Sequence, residues 1–233
     1  MKNGKNVIDE IKVVMKNVIY LILVSLLVFT SCKKDASNPI SPSEDAFTVT
    51  YSGKVYHTVK IGNQTWLKEN LDVGVMIDNF QSNNGTIEKY CYNNDTANCN
   101  KYGGLYQWDE AMAYDTTSGT KGICPTGWHI PTKAEFETLM AAVGNDGNKL
   151  KREDQGTGRG VGTNTSGFSA MLAGDRYYNG YFEGLGSTTY FLGSTEYGAV
   201  TAYGISLQDA VSNIHMGDFY KDYGFSIRCI KDE

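Results

Sequence analysis

The four cysteines Cys91, Cys99, Cys124 and Cys229 constrain the fold more than any other feature, because bridging them fixes loops of very different length. Whether they are bridged depends on the compartment, since disulfides persist in exported chains and are rare in the cytosol. The N-terminus argues for export. Lys2, Lys5, Lys12 and Lys16 precede an apolar run over residues 18–31, which falls short of the roughly 20 residues that a comfortable membrane span requires. A basic segment, a short apolar segment and small residues before a cleavage point form the pattern of a secretory signal. In an exported chain an even cysteine count favours disulfides. Cys91 and Cys99 bracket a polar loop, 92–98, that has no core of its own, and proximity makes them a pair; Cys124 with Cys229 follows by elimination. Loop-closure entropy gives about 2.6 kcal/mol for the short bridge and about 4.8 kcal/mol for the long one. A four-cysteine zinc site is the competing arrangement, but no C-x-x-C pair is present.

Phe29-Thr30-Ser31-Cys32 resembles a bacterial lipobox, with Phe29 where Leu is usual. In that reading Cys32 is acylated and begins the mature chain; a plain cleaved signal with Cys32 as bystander is the alternative. Several acyl chains hold a protein stably on a membrane, since each buried methylene contributes about 0.8 kcal/mol and a single chain is marginal. Translation from Met15 would leave the same mature chain. Residues 32–46 are polar, carry two of the four prolines and read as a flexible tether. Removing residues 1–31 takes four Lys and two acids with it, moving the net charge from −5 to −7. That balance lacks the basic footprint of a phosphate-binding surface and excludes nucleic acid as the main partner. The expected organisation is a signal over 1–31, a lipidated Cys32 with its tether to residue 46, and one domain over 47–233.

Short strands joined by tight turns are expected over 48–51, 54–61 and 64–67, with Ser52-Gly53 and Gly62-Asn63 between them. Alternation in the second strand sets Val55, His57, Val59 and Ile61 on an apolar face, which makes His57 a satisfied structural residue. A helix is predicted from Thr132, where Thr132 and Glu135 form a capping box. Phe136, Leu139, Met140 and Val143 then recur at helical spacing before Gly144. A shorter helix is read from Leu105, Trp108, Ala111 and Met112, with Asp109 and Glu110 on a solvated face. Residues 144–224 are rich in Gly, Asn, Thr, Ser and Tyr and read as loops with short strands, 156–162 as a flexible loop. The ending 224–230 alternates, placing Phe225, Ile227 and Cys229 on one face of a buried final strand. Strands, two helices and then a long loop region read as α+β.

Several phrases are distinctive together: Ile61-Gly62-Asn63-Gln64-Thr65-Trp66-Leu67-Lys68-Glu69-Asn70-Leu71, Tyr102-Gly103-Gly104-Leu105-Tyr106-Gln107-Trp108, Cys124-Pro125-Thr126-Gly127-Trp128-His129-Ile130-Pro131-Thr132, Ser166-Gly167-Phe168-Ser169-Ala170, Ser194-Thr195-Glu196 and Gly224-Phe225-Ser226-Ile227-Arg228-Cys229. In this order they resemble the Fibrobacter succinogenes major paralogous domain family, found in exported proteins and lipoproteins, over roughly residues 50–232. The resemblance implies a C-type lectin-like fold with short antiparallel strands, two helices and a long loop region closed by a terminal strand. Around 191–194 and 202–205 the chain lacks the Trp and Arg usual in the family.

No catalytic residue is assigned. Nucleophile-elbow, P-loop and H-E-x-x-H motifs are absent from the sequence. Of the three histidines, His129 reads as a structural turn residue before the capped helix. The carboxylates Asp109 with Glu110, or Glu183 with Glu196, are the pairs that glycoside hydrolysis would need. The run Arg176, Tyr177, Tyr178, Tyr181 and Phe182, in a glycine-bounded loop, mixes aromatic, amide and charged groups as sugar- and protein-contacting surfaces do. Packing of half these rings into the core is the competing reading. Asn145-Asp146-Gly147-Asn148 has the oxygens of a calcium loop without its further acids, so no cofactor or metal is assigned. Asp95-Thr96-Ala97 and Asp115-Thr116-Thr117 match a short O-glycosylation pattern. The expectation is a lipid-anchored envelope protein, held to the outer membrane, acting as a non-catalytic binding or adhesion module for a glycan or surface protein. An envelope enzyme acting on polysaccharide and a structural surface protein are the alternatives.

Overall fold

The computed structural model describes residues 48–82 and 85–233; the apolar run, Cys32 and the tether lie outside the described residues. The first strands form where the turn residues place them: β1 (Thr48–Tyr51), β2 (Lys54–Ile61) and β3 (Gln64–Leu67). Two short parallel strands follow, β4 (Val75–Met76) and β5 (Glu88–Lys89). The run between Cys91 and Cys99 is not a loop but leads into helix α1 (Thr96–Tyr102), whose first turn is capped by the Asp95 carboxylate. The helix expected over 105–112 is cut down to β6 (Leu105–Tyr106) and the one-turn α2 (Trp108–Ala111). Pairing of Leu105 and Tyr106 into a sheet overrides their helical spacing. Then come β7 (Trp128–His129) and α3 (Lys133–Val143), which carries the complete Thr132/Glu135 capping box and ends at a left-handed Gly144.

The region read as loops instead holds the longest strands: β8 (Ala173–Arg176), β9 (Phe182–Leu185), β10 (Thr188–Glu196), β11 (Thr201–Gln208) and β12 (His215–Tyr220). Residues 156–162 are a loop with a single helical turn at Gly158–Gly160. The amide of Thr157 bonds the carbonyl of Asp209 at 2.7 Å, and a Cβ at Gly160 would lie 2.0 Å from the same oxygen, so glycine is there for close backbone approach. The ending splits into β13 (Phe225–Ser226) and β14 (Ile230–Lys231).

Sheet one has the order β1-β2-β3-β14-β7 and is antiparallel throughout. Sheet two has the order β12-β11-β10-β13-β6, with β8 also pairing β10 and carrying β9. The final residues therefore pass from one sheet to the other, and the single terminal strand is replaced by two short ladders. With fourteen strands and three helices among the described residues, the longest helix eleven residues, the domain is mostly β. The α+β, C-type lectin-like expectation with two helices and a long loop region is overturned by the long β10–β12 meander and by the shortened second helix.

Two hydrophobic clusters share both sheets. Tyr56 and Leu67 of sheet one and Leu192 and Ala202 of sheet two enter one cluster, with Trp108, Phe225, Ile227 and the Cys124–Cys229 bridge. Residues of opposite parity, Ile61, Trp66, Phe191, Ile205 and Leu207, enter the other, with Phe136 and Leu139 of α3. Burial on both faces explains why strict apolar alternation fails in β10 and β11. It also corrects β2: Tyr56 is buried, whereas Val55 and His57 are exposed, and His57 bonds Glu69 at 2.8 Å on the surface. The second bridge joins Cys91 to Cys99, so both disulfides pair as proximity and elimination predict.

Candidate functional site

The run 176–182 leaves β8, makes a tight turn and returns as β9. Arg176 ends β8 buried, at 3% exposure, and is not a surface group. Its Nε and Nη2 donate to the carbonyl of Asn79 at 3.0 and 2.5 Å, and its guanidinium stacks 4.1 Å from the Tyr90 ring centroid. Its backbone exchanges two hydrogen bonds with Gly224. Asn79 in turn donates its side-chain amide to the carbonyl of Gly180 at 2.7 Å. Tyr177 and Tyr181 close the turn between their backbones at 2.8 Å. Gly180 has φ +90° there, and a Cβ would clash with Asn79 and Phe80. Arg176 is thus the brace beneath the loop.

The tyrosines above it sort by exposure. Tyr178 and Tyr181 are 62% and 63% exposed, whereas Tyr177 and Phe182 are half-buried, Phe182 against Tyr92 at 5.1 Å. Two rings that sequence reading missed complete the surface. Tyr223 lies 4.8 Å from Tyr177, 5.9 Å from Tyr178 and 5.5 Å from Tyr220, the last nearly parallel, and Tyr220 is 55% exposed. Tyr223 also stacks on the buried Phe225, so the terrace is anchored in the first cluster. Tyr181 meets Phe80 edge-on at 6.5 Å. The aromatic density of 219–225 was the available signal, but nothing local shows that it folds beside 177–178.

Tyr220, Lys221 and Asp222 continue into an open groove of about 580 Å³, also lined by Trp108, Asp109 and Glu196. Lys221 sits 4.1 Å over the Trp108 ring and is ion-paired to Glu196. The groove sets the exposed Tyr220 ring beside the carboxylates of Asp109, Asp222 and Glu196.

Glu183 and Glu196, which glycoside hydrolysis would need together, are each engaged with another residue. Glu196 is bound to Lys221, and Glu183 stands directly across from Asp175 in the β8–β9 ladder. Burial, with Glu183 opposite as a second cause, pushes the Asp175 carboxyl up to about 7. Asp109 is exposed as expected, but Glu110 is buried: it accepts the Glu88 amide at 2.9 Å and the Tyr114 hydroxyl at 2.5 Å, and burial raises its pKa. His129 lies on β7 rather than in a turn, between Asp232 at 2.7 Å and Glu135 at 2.8 Å. In 145–148, Asp146 caps the Asn148 amide at 3.0 Å. Among the described residues no three acidic, histidine or cysteine side chains are grouped for a metal ion. Thr96 and Thr116 are both exposed.

Neither the curated proteins nor the solved structures contain a match to the chain. The Fibrobacter succinogenes major domain matches residues 59–231, from within β2 to β14, which takes in sheet two, sheet one apart from β1 and the start of β2, and both bridges. The chain belongs to the Fibrobacter succinogenes major domain family.

Proposed function

We propose that this is a lipid-anchored protein of the cell envelope, held to the outer membrane through Cys32, whose domain is a non-catalytic binding module for glycans. One observation carries the binding reading: Tyr177, Tyr178, Tyr220 and Tyr223 form a continuous, partly exposed terrace fixed by Arg176 and opening onto a groove that Asp109, Asp222 and Glu196 help to line. Rigid tyrosines provide contact area at low entropic cost, and hydroxyl-rich ligands find acceptors in Asp109 and Asp222 at the groove. The anchor reading rests on the basic segment, the apolar run and the lipobox-like residues 29–32.

The test is a glycan-array screen of residues 33–233 with both disulfides intact. Reproducible hits that vanish in Tyr178→Ala support the module, and hits indifferent to Tyr178 and Tyr220 contradict it. Radiolabelled fatty-acid incorporation that is lost in Cys32→Ala tests the anchor. A second reading, polysaccharide hydrolysis, is favoured by the Asp175/Glu183 pair, which the β8–β9 ladder sets directly opposite each other, since that chemistry needs two neighbouring carboxylates. Asp175 is only 4% exposed, which favours binding. Sugar release by the wild type that is abolished in Asp175→Asn would establish the hydrolytic reading.

A further inference from the structure

Four of the phrases that carry the family resemblance converge on one cavity away from the terrace. Lys68 and Asn70, Tyr102, Ser169 and Arg228 all line a pocket of about 240 Å³ that includes none of the terrace tyrosines. In an acidic chain this pocket is basic: Lys54, Lys68, Lys101, Arg152 and Arg228 face two carboxylates, Glu69 and Asp72. Both acids are already engaged. Asp72 is ion-paired to Lys54 and to Lys89, and Glu69 accepts the His57 amide at 2.7 Å and meets its ring nitrogen at 2.8 Å. Arg152 is paired with Asp154, whereas Lys68 and Lys101 form no ion pair among the described residues.

Arg228 is 1% exposed and forms no ion-pair contact with a carboxylate among the described residues. Nε and Nη2 donate to Asn70 Oδ1 at 3.1 and 2.6 Å, and Nη1 donates to the carbonyls of Leu67 and Phe168 at 3.1 and 2.6 Å. A guanidinium has five N–H donors; one on Nη2 has no acceptor among the described residues. The guanidinium also lies over the Phe168 and Phe191 rings at 4.3 and 5.2 Å, and Glu69, already bound to His57, acts on it without an ion-pair contact, so its charge is compensated only in part, a costly arrangement that an approaching anion relieves.

We propose that this pocket is a recognition site for a small sugar acid, whose carboxylate is drawn to the field of Arg228 with Lys68 and Lys101. Charge-assisted bonds to Arg and Lys supply the anion contact. The Tyr102 ring, Asn100 and Ser169 supply an aromatic face and neutral groups for hydroxyls, which an inorganic anion would not use. The site is independent of the terrace and stands or falls separately from it.

Isothermal titration of residues 33–233 with D-glucuronate, D-glucose and sulfate at constant ionic strength tests it. Glucuronate is expected to bind, glucose not to bind, and affinity to fall with added salt. The double variant Lys68→Ala with Lys101→Ala, checked to be folded by circular dichroism, is expected to weaken glucuronate at least tenfold, and the Tyr178→Ala variant to leave it unchanged. Absence of glucuronate binding, or binding unaffected by the lysine double variant, overturns the proposal. Sulfate binding as tightly as glucuronate overturns the sugar-acid assignment.

Discussion

Arg176 and its neighbours show how far identity and placement diverge within one run of residues. Arg, Tyr and Phe over 176–182 look equally available in the sequence, yet Arg176 is spent on the Asn79 carbonyl and on the Tyr90 ring, and only Tyr178 and Tyr181 stand well clear. Strand parity and the partner loop at 79 decide this, and neither is encoded locally. Replacing Arg176 with Gln should lower the free energy of unfolding by about 2–4 kcal/mol, since several charge-assisted bonds in a buried site are lost. Urea titration with intact disulfides reads the loss, and a change under 0.5 kcal/mol would remove Arg176 from its bracing role. Asp175 supplies a second prediction. Its folded pKa, about 7, lies above the ordinary carboxylate value because of burial first and Glu183 second. The native state therefore keeps a proton that the unfolded chain releases, so stability falls as pH rises from about 4 to about 7. Asp175→Asn should remove that decline, leaving stability near pH 3.5 unchanged and raising it at pH 8 by on the order of 1–3 kcal/mol. An unchanged pH slope in the variant would contradict the assignment.

Among elements, α3 was fully legible because its determinants are local: Thr132 and Glu135 satisfy each other's backbone groups, and Gly144 takes the left-handed stop. Thr132→Ala should cost about 1 kcal/mol, measurable by thermal or urea unfolding. The same cap is tied to the C-terminus through His129. Its hydrogen bond to Glu135, reinforced by that to Asp232, holds its pKa above the ordinary value against the effect of burial. That contribution is complete below about pH 6.5 and is lost as pH rises through the folded pKa. His129→Gln should flatten this decline in stability as pH rises above about 6.5, as urea unfolding across pH would show. The first three strands were equally legible, since their turns carry Ser52-Gly53 and Gly62-Asn63. Strands β10 to β12 were not. Thr, Tyr, Gly and Ser imitate loop composition, and burial of both faces erases the period-2 pattern that marks a half-buried strand. For α2, helical spacing at Leu105 and Trp108 lost to the ladder with β13.

At the scale of the molecule, two buried clusters share the same two sheets, and residues 224–230 cross between the sheets. Alternation did place Phe225, Ile227 and Cys229 together in one cluster, but no local signal separates β13 from β14. The Cys124–Cys229 bridge ties this crossing to the segment ahead of β7, across a separation of 105 residues. Replacing both of these cysteines with Ala should cost about 4–5 kcal/mol, against about 2–3 kcal/mol for the Cys91–Cys99 pair, as unfolding of the two variants would show. The terrace depends on that crossing, because Tyr223 stacks on Phe225 and Arg176 bonds Gly224. The most direct measurement is therefore a side-by-side glycan-array comparison of residues 33–233 and the Tyr178→Ala/Tyr220→Ala double variant, both shown to be folded. Glycan signals present in the first and lost in the second are the predicted result. Signals of equal strength in both, or none in either, would contradict a tyrosine terrace that binds glycans.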